Sequence, residues 1–184
     1  MVDAICSAGM DGGELLDIGG GVGTIQHLLL ARGAARATHV DVSQAYIDAA
    51  RKEGERRGHL DRMTARAGDF VDLAPSMGQF DVVTLDRVIC CYPDMRRLVR
   101  ASASKAERLY GLVYPRSGSA AELVARMANT LMRLRRSDFR AYIHDTGEVD
   151  ALVRSLGFER SYESATAVWQ IFLYRRSGAQ APTS

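Results

Sequence analysis

Cysteine, proline, tryptophan and lysine are all scarce in this chain of 184 residues. Three cysteines, Cys6, Cys90 and Cys91, are too few and too unevenly placed for a disulfide framework, and adjacent cysteines seldom bridge each other. An odd number of free thiols fits a reducing compartment, where Cys90 and Cys91 read as small buried apolar residues, with a nucleophilic role as the alternative. Four histidines lie scattered without metal-ligand spacing, so no bound metal is expected. The net charge of +2 leaves no basic excess for gripping nucleic acid. No apolar run reaches the length of a membrane span, and the first ten residues lack a signal-peptide pattern, so a cytoplasmic location is expected. Arginine outnumbers lysine 22 to 2, which reflects a GC-rich genome as readily as any function. With 47% hydrophobic and 25% charged residues, the composition is that of an ordinary globular protein with one core.

Against this plain background one stretch stands out. Leu15, Leu16, Asp17 and Ile18 read as an apolar strand that runs into Gly19-Gly20-Gly21-Val22-Gly23, followed by helical periodicity over 22–32. Glycines in such a turn admit backbone conformations other residues resist and let a ligand lie against the main chain. The N–H groups of the next helix would face that ligand. A dinucleotide fingerprint reads G-x-G-x-x-G. Here Thr24 stands where its third glycine belongs, and the pattern is D-x-G-x-G-x-G. Three more strand signals each end in an acid: 37–43 with Asp41, 24 residues after Asp17; 62–70 with Gly68-Asp69-Phe70; and 79–86 with Asp86. In an open α/β sheet those strand ends line the ligand crevice, and a carboxylate such as Asp41 can accept hydrogen bonds from ribose hydroxyls.

From about Gly13 to Tyr174 the chain resembles the class I S-adenosylmethionine-dependent methyltransferases, whose first motif is an acid followed by G-x-G-x-G. The resemblance implies a Rossmann-like, doubly wound, mostly parallel α/β sheet with a C-terminal antiparallel hairpin, and S-adenosyl-L-methionine as cofactor. It assigns the methionine end to Gly19, Gly20, Gly21 and Gly23, with Asp17 supporting the loop and the cofactor's ammonium group. The ribose falls to Asp41 beside Val42, and the adenine to Asp69 and Phe70; Asp86 completes the cofactor set. Members usually carry helices ahead of the first strand that cover cofactor and substrate. Only some twelve residues precede it here, so the cover helices are short or missing. Either the start is truncated, or a mobile loop, a second copy or a partner chain supplies the cover.

Further along, Pro93 and the spacing of Met95, Leu98, Val99 and Ala103 predict a helix, and 109–114 reads as a strand that Pro115 stops. A helix is expected over 119–136. Its arginines at 126, 133, 135 and 136, with Arg140 beyond, could grip an acidic substrate or a membrane surface; the plainer reading is a solvated basic face. Thr146 with Glu148 and Val149 opens a helix over 146–156 that Gly157 caps, and 158–164 and 167–174 read as closing strands. One domain is expected over 1–176, with a disordered tail over 177–184.

Methyl transfer from a sulfonium needs alignment more than a catalytic triad. Candidates to touch the acceptor follow strands four and five and precede the last helix: Asp86, Arg87, Cys91, Tyr92, Tyr114, Arg116, Tyr142 and His144. Of these His144, Tyr92 and Arg87 are the catalytic candidates, with His144 the general base because imidazole titrates near neutrality. Asp86 is followed by Arg-Val-Ile, so the Asn/Asp-Pro-Pro-Tyr/Phe motif of amino-directed methyltransferases is missing and nucleic-acid amines are disfavoured. The 85–94 string and the Tyr114-Pro115-Arg116 turn are similar to the magnesium-protoporphyrin O-methyltransferase branch, which methylates a carboxylate on a tetrapyrrole. An oxygen on a small molecule is the expected acceptor. The alternatives are a non-catalytic S-adenosylmethionine binder, such as one subunit of a heteromer, and an NAD-dependent oxidoreductase, against which the third glycine argues.

Overall fold

The computed structural model describes residues 1–118 and 141–178, together with Met127, Asn129, Thr130 and Met132. The helix expected over 119–136 and the basic cluster around it therefore lie outside the described residues, those four excepted, as does the tail from 179 onward.

In chain order the elements are α1 (Val2–Ser7), β1 (Glu14–Ile18), α2 (Thr24–Leu30), β2 (Arg36–Asp41), α3 (Gln44–Arg57), β3 (Met63–Ala67), α4 (Phe70–Leu73), β4 (Phe80–Asp86), α5 (Met95–Ala103), β5 (Ala106–Pro115), α6 (Thr146–Ser155), β6 (Phe158–Ala165) and β7 (Trp169–Arg176). The strands form one seven-stranded sheet in the order β3-β2-β1-β4-β5-β7-β6. Strands β1 to β5 run parallel, and β7 pairs antiparallel with both β5 and β6. This is the doubly wound sheet with a terminal antiparallel hairpin that the sequence predicts.

The inner strands are mostly apolar because helices cover both faces. Leu16, Ile18, Val83 and Leu85 pack toward α4, α5 and α6, while Leu15 and Val82 pack toward α1 and α2. From β1 the chain winds outward through β2 and β3, then crosses back to lay β4 on the other side of β1. At such a reversal the crossover helices part and leave a crevice beyond the carboxyl ends of β1 and β4. All four acids singled out by the sequence stand at that edge.

Several boundaries differ from the sequence reading. Helix α2 starts at Thr24 instead of residue 22, since Gly23 precedes it in the left-handed region at φ 79°. Strand β3 stops at Ala67 and Phe70 opens α4, whose first turn is capped by the Asp69 carboxylate accepting from the Val71 N–H at 2.8 Å. Helix α6 is capped by Asp145, which accepts from the Glu148 N–H at 2.8 Å, and not by Thr146.

The sequence implies that helices before β1 are short or missing, and one short helix, α1, is present, its six residues too few to display a helical period. Helix α1 is nevertheless anchored. Ile5 is fully buried, packed with Met10, Leu29 and Val82. Ile5→Ala should cost about 2–5 kcal/mol, read as a lower urea midpoint with an unchanged slope. A stability within experimental error of the parent would show that α1 is only loosely laid on the sheet.

Candidate active site

The glycine loop is built by alternation. Gly19, Gly21 and Gly23 occupy the left-handed region at φ 60°, 58° and 79°, where a Cβ is strained, which accounts for a glycine at every second position. Gly20 between them is needed for another reason: a Cβ there would collide with the Asp17 carboxylate. The loop is tied down by the Gly19 N–H donating to the Val40 carbonyl at 2.7 Å and by the Gly21 N–H donating to Asp41 Oδ2 at 3.1 Å.

Beneath the loop lies a polar layer in an apolar sheet. Asp17 on β1 is flanked in register by His39 on β2 and Thr84 on β4, and all three are fully buried. Asp17 Oδ1 accepts from the Thr84 hydroxyl at 2.7 Å, but Oδ2 has no hydrogen-bond partner. Burial pushes the Asp17 carboxyl up to about 7; the Thr84 hydrogen bond opposes this, and the neighbouring charges of Asp86 and Asp41 add to it. Burial likewise lowers the His39 pKa, keeping that imidazole neutral, and both its nitrogens and the Gln26 side-chain amide lack partners. Unpaired buried polar groups are costly and usually mark function. Sequence reasoning missed Gln26, His39 and Thr84. His39 and Thr84 share a level with Asp17 only once the strands are aligned, and Gln26 comes to them from α2.

Beside the loop a cavity of about 190 Å³ is lined by Gly19, Asp41, Val42, Asp69, Phe70 and Tyr92 among others. Asp41 accepts from the Ser43 N–H at 2.8 Å as well as from Gly21, so its carboxylate fixes both the loop and the start of α3. Tyr92, also on the cavity wall, donates its hydroxyl to Asp69 Oδ2 at 3.0 Å. Asp17, Asp41 and Asp86 gather negative potential at the strand ends. That field and the orphaned Asp17 oxygen suit a ligand carrying an ammonium and a sulfonium, and repel a pyrophosphate.

On the other side of the β4 exit a groove of about 430 Å³ is lined by Ile25 and Leu28 of α2, Val113, Ile171 and Trp169, together with Asp86, Arg87 and Met1 to Asp3. Arg87 is itself in the left-handed region at φ 61°, uncommon for a residue with a side chain. Its guanidinium reaches Asp86 at 3.3 Å and lies 5.8 Å over the Trp169 ring. The segment 86–92 is thus a partition: Asp86 and Arg87 face the groove, Val88, Cys91 and Tyr92 the cavity.

The remaining candidates are not gathered at that partition in the same way. Tyr114 is buried. Arg116 pairs through its main chain with Val168. Tyr142 donates its N–H to the Cys90 carbonyl at 2.7 Å, and His144 Nε2 lies 3.0 Å from the Ile89 carbonyl, so both brace the 89–91 turn from behind. Burial lowers the His144 pKa and holds the ring neutral, with Nε2–H as the donor to that carbonyl. His144 lines neither the cavity nor the groove.

A family model described as a methyltransferase domain matches residues 15–107, about half of the chain. The chain belongs to the methyltransferase domain family. The matched span runs from β1 to the start of β5 and carries the glycine loop and all four strand-end acids. Among solved structures the methyltransferase is similar to magnesium protoporphyrin IX methyltransferase (ChlM) from Synechocystis PCC 6803 with bound S-adenosylhomocysteine, at 22% identity and a TM-score of 0.77 over 96% of this chain and 80% of that one. An O-methyltransferase family protein from Burkholderia thailandensis shares 19% identity at a TM-score of 0.78, over 98% of this chain and 56% of that one. The cyclase SpnF has the same fold, at 14% identity, a TM-score of 0.73, 96% of this chain and 79% of that one. Likeness of this degree establishes the fold, so acceptor chemistry must be argued from the site. No curated protein matches the sequence. The protein is an S-adenosylmethionine-dependent methyltransferase of the class I fold.

Proposed function

We propose that this methyltransferase acts on an oxygen of a small molecule seated in the groove, through a single S-adenosylmethionine-binding domain spanning 1–176. The observation that carries this reading is the partition: one short segment, 86–92, walls the cofactor cavity on one side and the apolar groove on the other. When bound, S-adenosylmethionine supplies a methyl group already activated on sulfur. The chain's own task is alignment, which contributes up to roughly 7–11 kcal/mol when geometry is good. Asp17 and the glycine loop hold the amino-acid end, Asp41 with Val42 the ribose, and Asp69 and Phe70 the adenine. Tyr92, bonded to Asp69, acts at the cofactor end of the site.

In the groove, Trp169 and the α2 side chains offer a flat apolar wall, and Arg87 offers a cation to a carboxylate or phenolate acceptor. Asp86 in the groove lining is the carboxylate best placed to take a hydroxyl proton, while His144 is a positioning residue that holds the 89–91 turn. The magnesium protoporphyrin enzyme and the O-methyltransferase family protein are compatible with oxygen as the acceptor atom. The direct test is incubation with methyl-labelled S-adenosylmethionine and parallel panels of carboxylates, phenols, amines and nucleic acid. Labelled methyl esters or ethers are expected. Label in the amines or in nucleic acid would overturn the acceptor assignment, and no transfer by a protein that binds the cofactor would favour the silent binder. For His144→Ala the expected outcome is slower turnover with an unaltered pH profile; a lost limb in that profile would make His144 the base.

A further inference from the structure

The segment that divides cavity from groove carries two adjacent thiols that methyl transfer, as described above, does not use. Cys91 is exposed and lines the cofactor cavity, whereas Cys90 is buried behind it. Their sulfurs are 3.8 Å apart, and Cys90 Sγ lies 3.3 Å and Cys91 Sγ 3.8 Å from the carbonyl of Arg87. The turn that presents them is fixed from behind by Tyr142 and His144, which engage the Cys90 and Ile89 carbonyls at 2.7 and 3.0 Å. An exposed cysteine held on the wall of a cavity, its sulfur 3.8 Å from a second thiol, has the surroundings of a reactive thiol and not of a packing residue.

We propose that Cys91 is a modification site for soft electrophiles, and that its modification and occupation of the cofactor cavity exclude each other. The inference rests on the reading that places the cofactor in this cavity. With an alkyl halide the Cys91 sulfur attacks carbon, the carbon–halogen bond breaks, halide leaves, and the thiol proton passes to solvent. Contact with the neighbouring Cys90 thiol lowers the Cys91 pKa, while the same contact and burial push Cys90 up. The added group occupies part of a space of only about 190 Å³ between Asp41, Asp69 and Tyr92. Conversely, a ligand filling that space covers the sulfur.

The test is alkylation of the 184-residue chain with iodoacetamide at pH 7.5, followed by peptide mass mapping, with and without saturating S-adenosylhomocysteine. Protection of Cys91 by at least about tenfold is expected, with Cys6 in α1 labelled equally in both samples as the internal reference. The Cys91-alkylated protein should bind S-adenosylhomocysteine at least about tenfold more weakly by calorimetry. Equal labelling of Cys91 with and without ligand, or full affinity after alkylation, would overturn the inference. Affinity of the untreated protein, measured on the same sample, separates the two levels: no binding there removes the cavity assignment itself, whereas binding without protection removes the thiol inference alone.

Discussion

At pH 8 the Asp17→Asn variant should melt several degrees above the parent protein and bind S-adenosylmethionine at least about a hundredfold more weakly. Asp17 is a fully buried carboxyl whose pKa is raised to about 7, and from an ordinary 3.8 that shift corresponds to roughly 4 kcal/mol. The folded state binds more protons than the unfolded state between those two values, so this contribution to stability is complete below about pH 4 and is lost as pH rises through 7. An amide fills the same volume, keeps the Thr84 hydroxyl bonded and carries no charge. The melting difference between variant and parent should therefore be small at pH 5 and grow toward pH 8.

Using the difference matters, because His27, His39 and His59 titrate in the opposite sense. Burial lowers all three, so their contribution is present above about pH 6.5 and lost on acidification in both proteins. Loss of affinity follows under the proposed assignment, in which this carboxyl's unpartnered oxygen under Gly20 is the counter-charge for the ligand's ammonium. A variant that melts lower at pH 8, or one that binds normally, would show that Asp17 is a structural acid.

The second large effect is expected at Asp41. Asp41→Ala removes the acceptor for the Gly21 and Ser43 N–H groups at 3.1 and 2.8 Å together with the carboxylate proposed to bind the ribose. Hydrogen bonds to a charged group are worth roughly 1.5–3 kcal/mol each. Loss of the loop brace and of ribose binding should thus weaken S-adenosylhomocysteine by at least about a hundredfold in calorimetry. Asp41→Asn, which retains one acceptor oxygen, should lose less. Equal losses in the two variants would assign the effect to charge alone, and no loss in either would place the ribose elsewhere.

Much of this arrangement was legible before any coordinates. Asp17, Asp41, Asp69 and Asp86 could be placed at strand ends because each closes an apolar run and is followed by a turn or helix signal, and parallel strands bring such ends to one edge. The glycine spacing was legible because left-handed backbone at Gly19, Gly21 and Gly23 leaves almost no alternative residue. What stayed hidden depends on register or on distant chain. His39 and Thr84 flank Asp17 only once three strands are aligned, and nothing local distinguishes them from exposed polar residues. Trp169 reaches the groove because β7 runs antiparallel beside β5, bringing its first residue level with Pro115. Tyr92 reads as an acceptor residue from its place after β4, yet its side chain turns to Asp69, a contact 23 residues away. Helix α1 was invisible for want of length.

Isothermal calorimetry of the unsubstituted protein with S-adenosylhomocysteine and with NAD at pH 7.5 tests the central claim most directly. Roughly micromolar binding of the first and none of the second is the expected result, since three strand-end carboxylates favour a cationic ligand and repel a pyrophosphate. Binding of NAD, or a folded protein that takes neither ligand, would contradict the assignment of the β1–β4 crevice as an S-adenosylmethionine site.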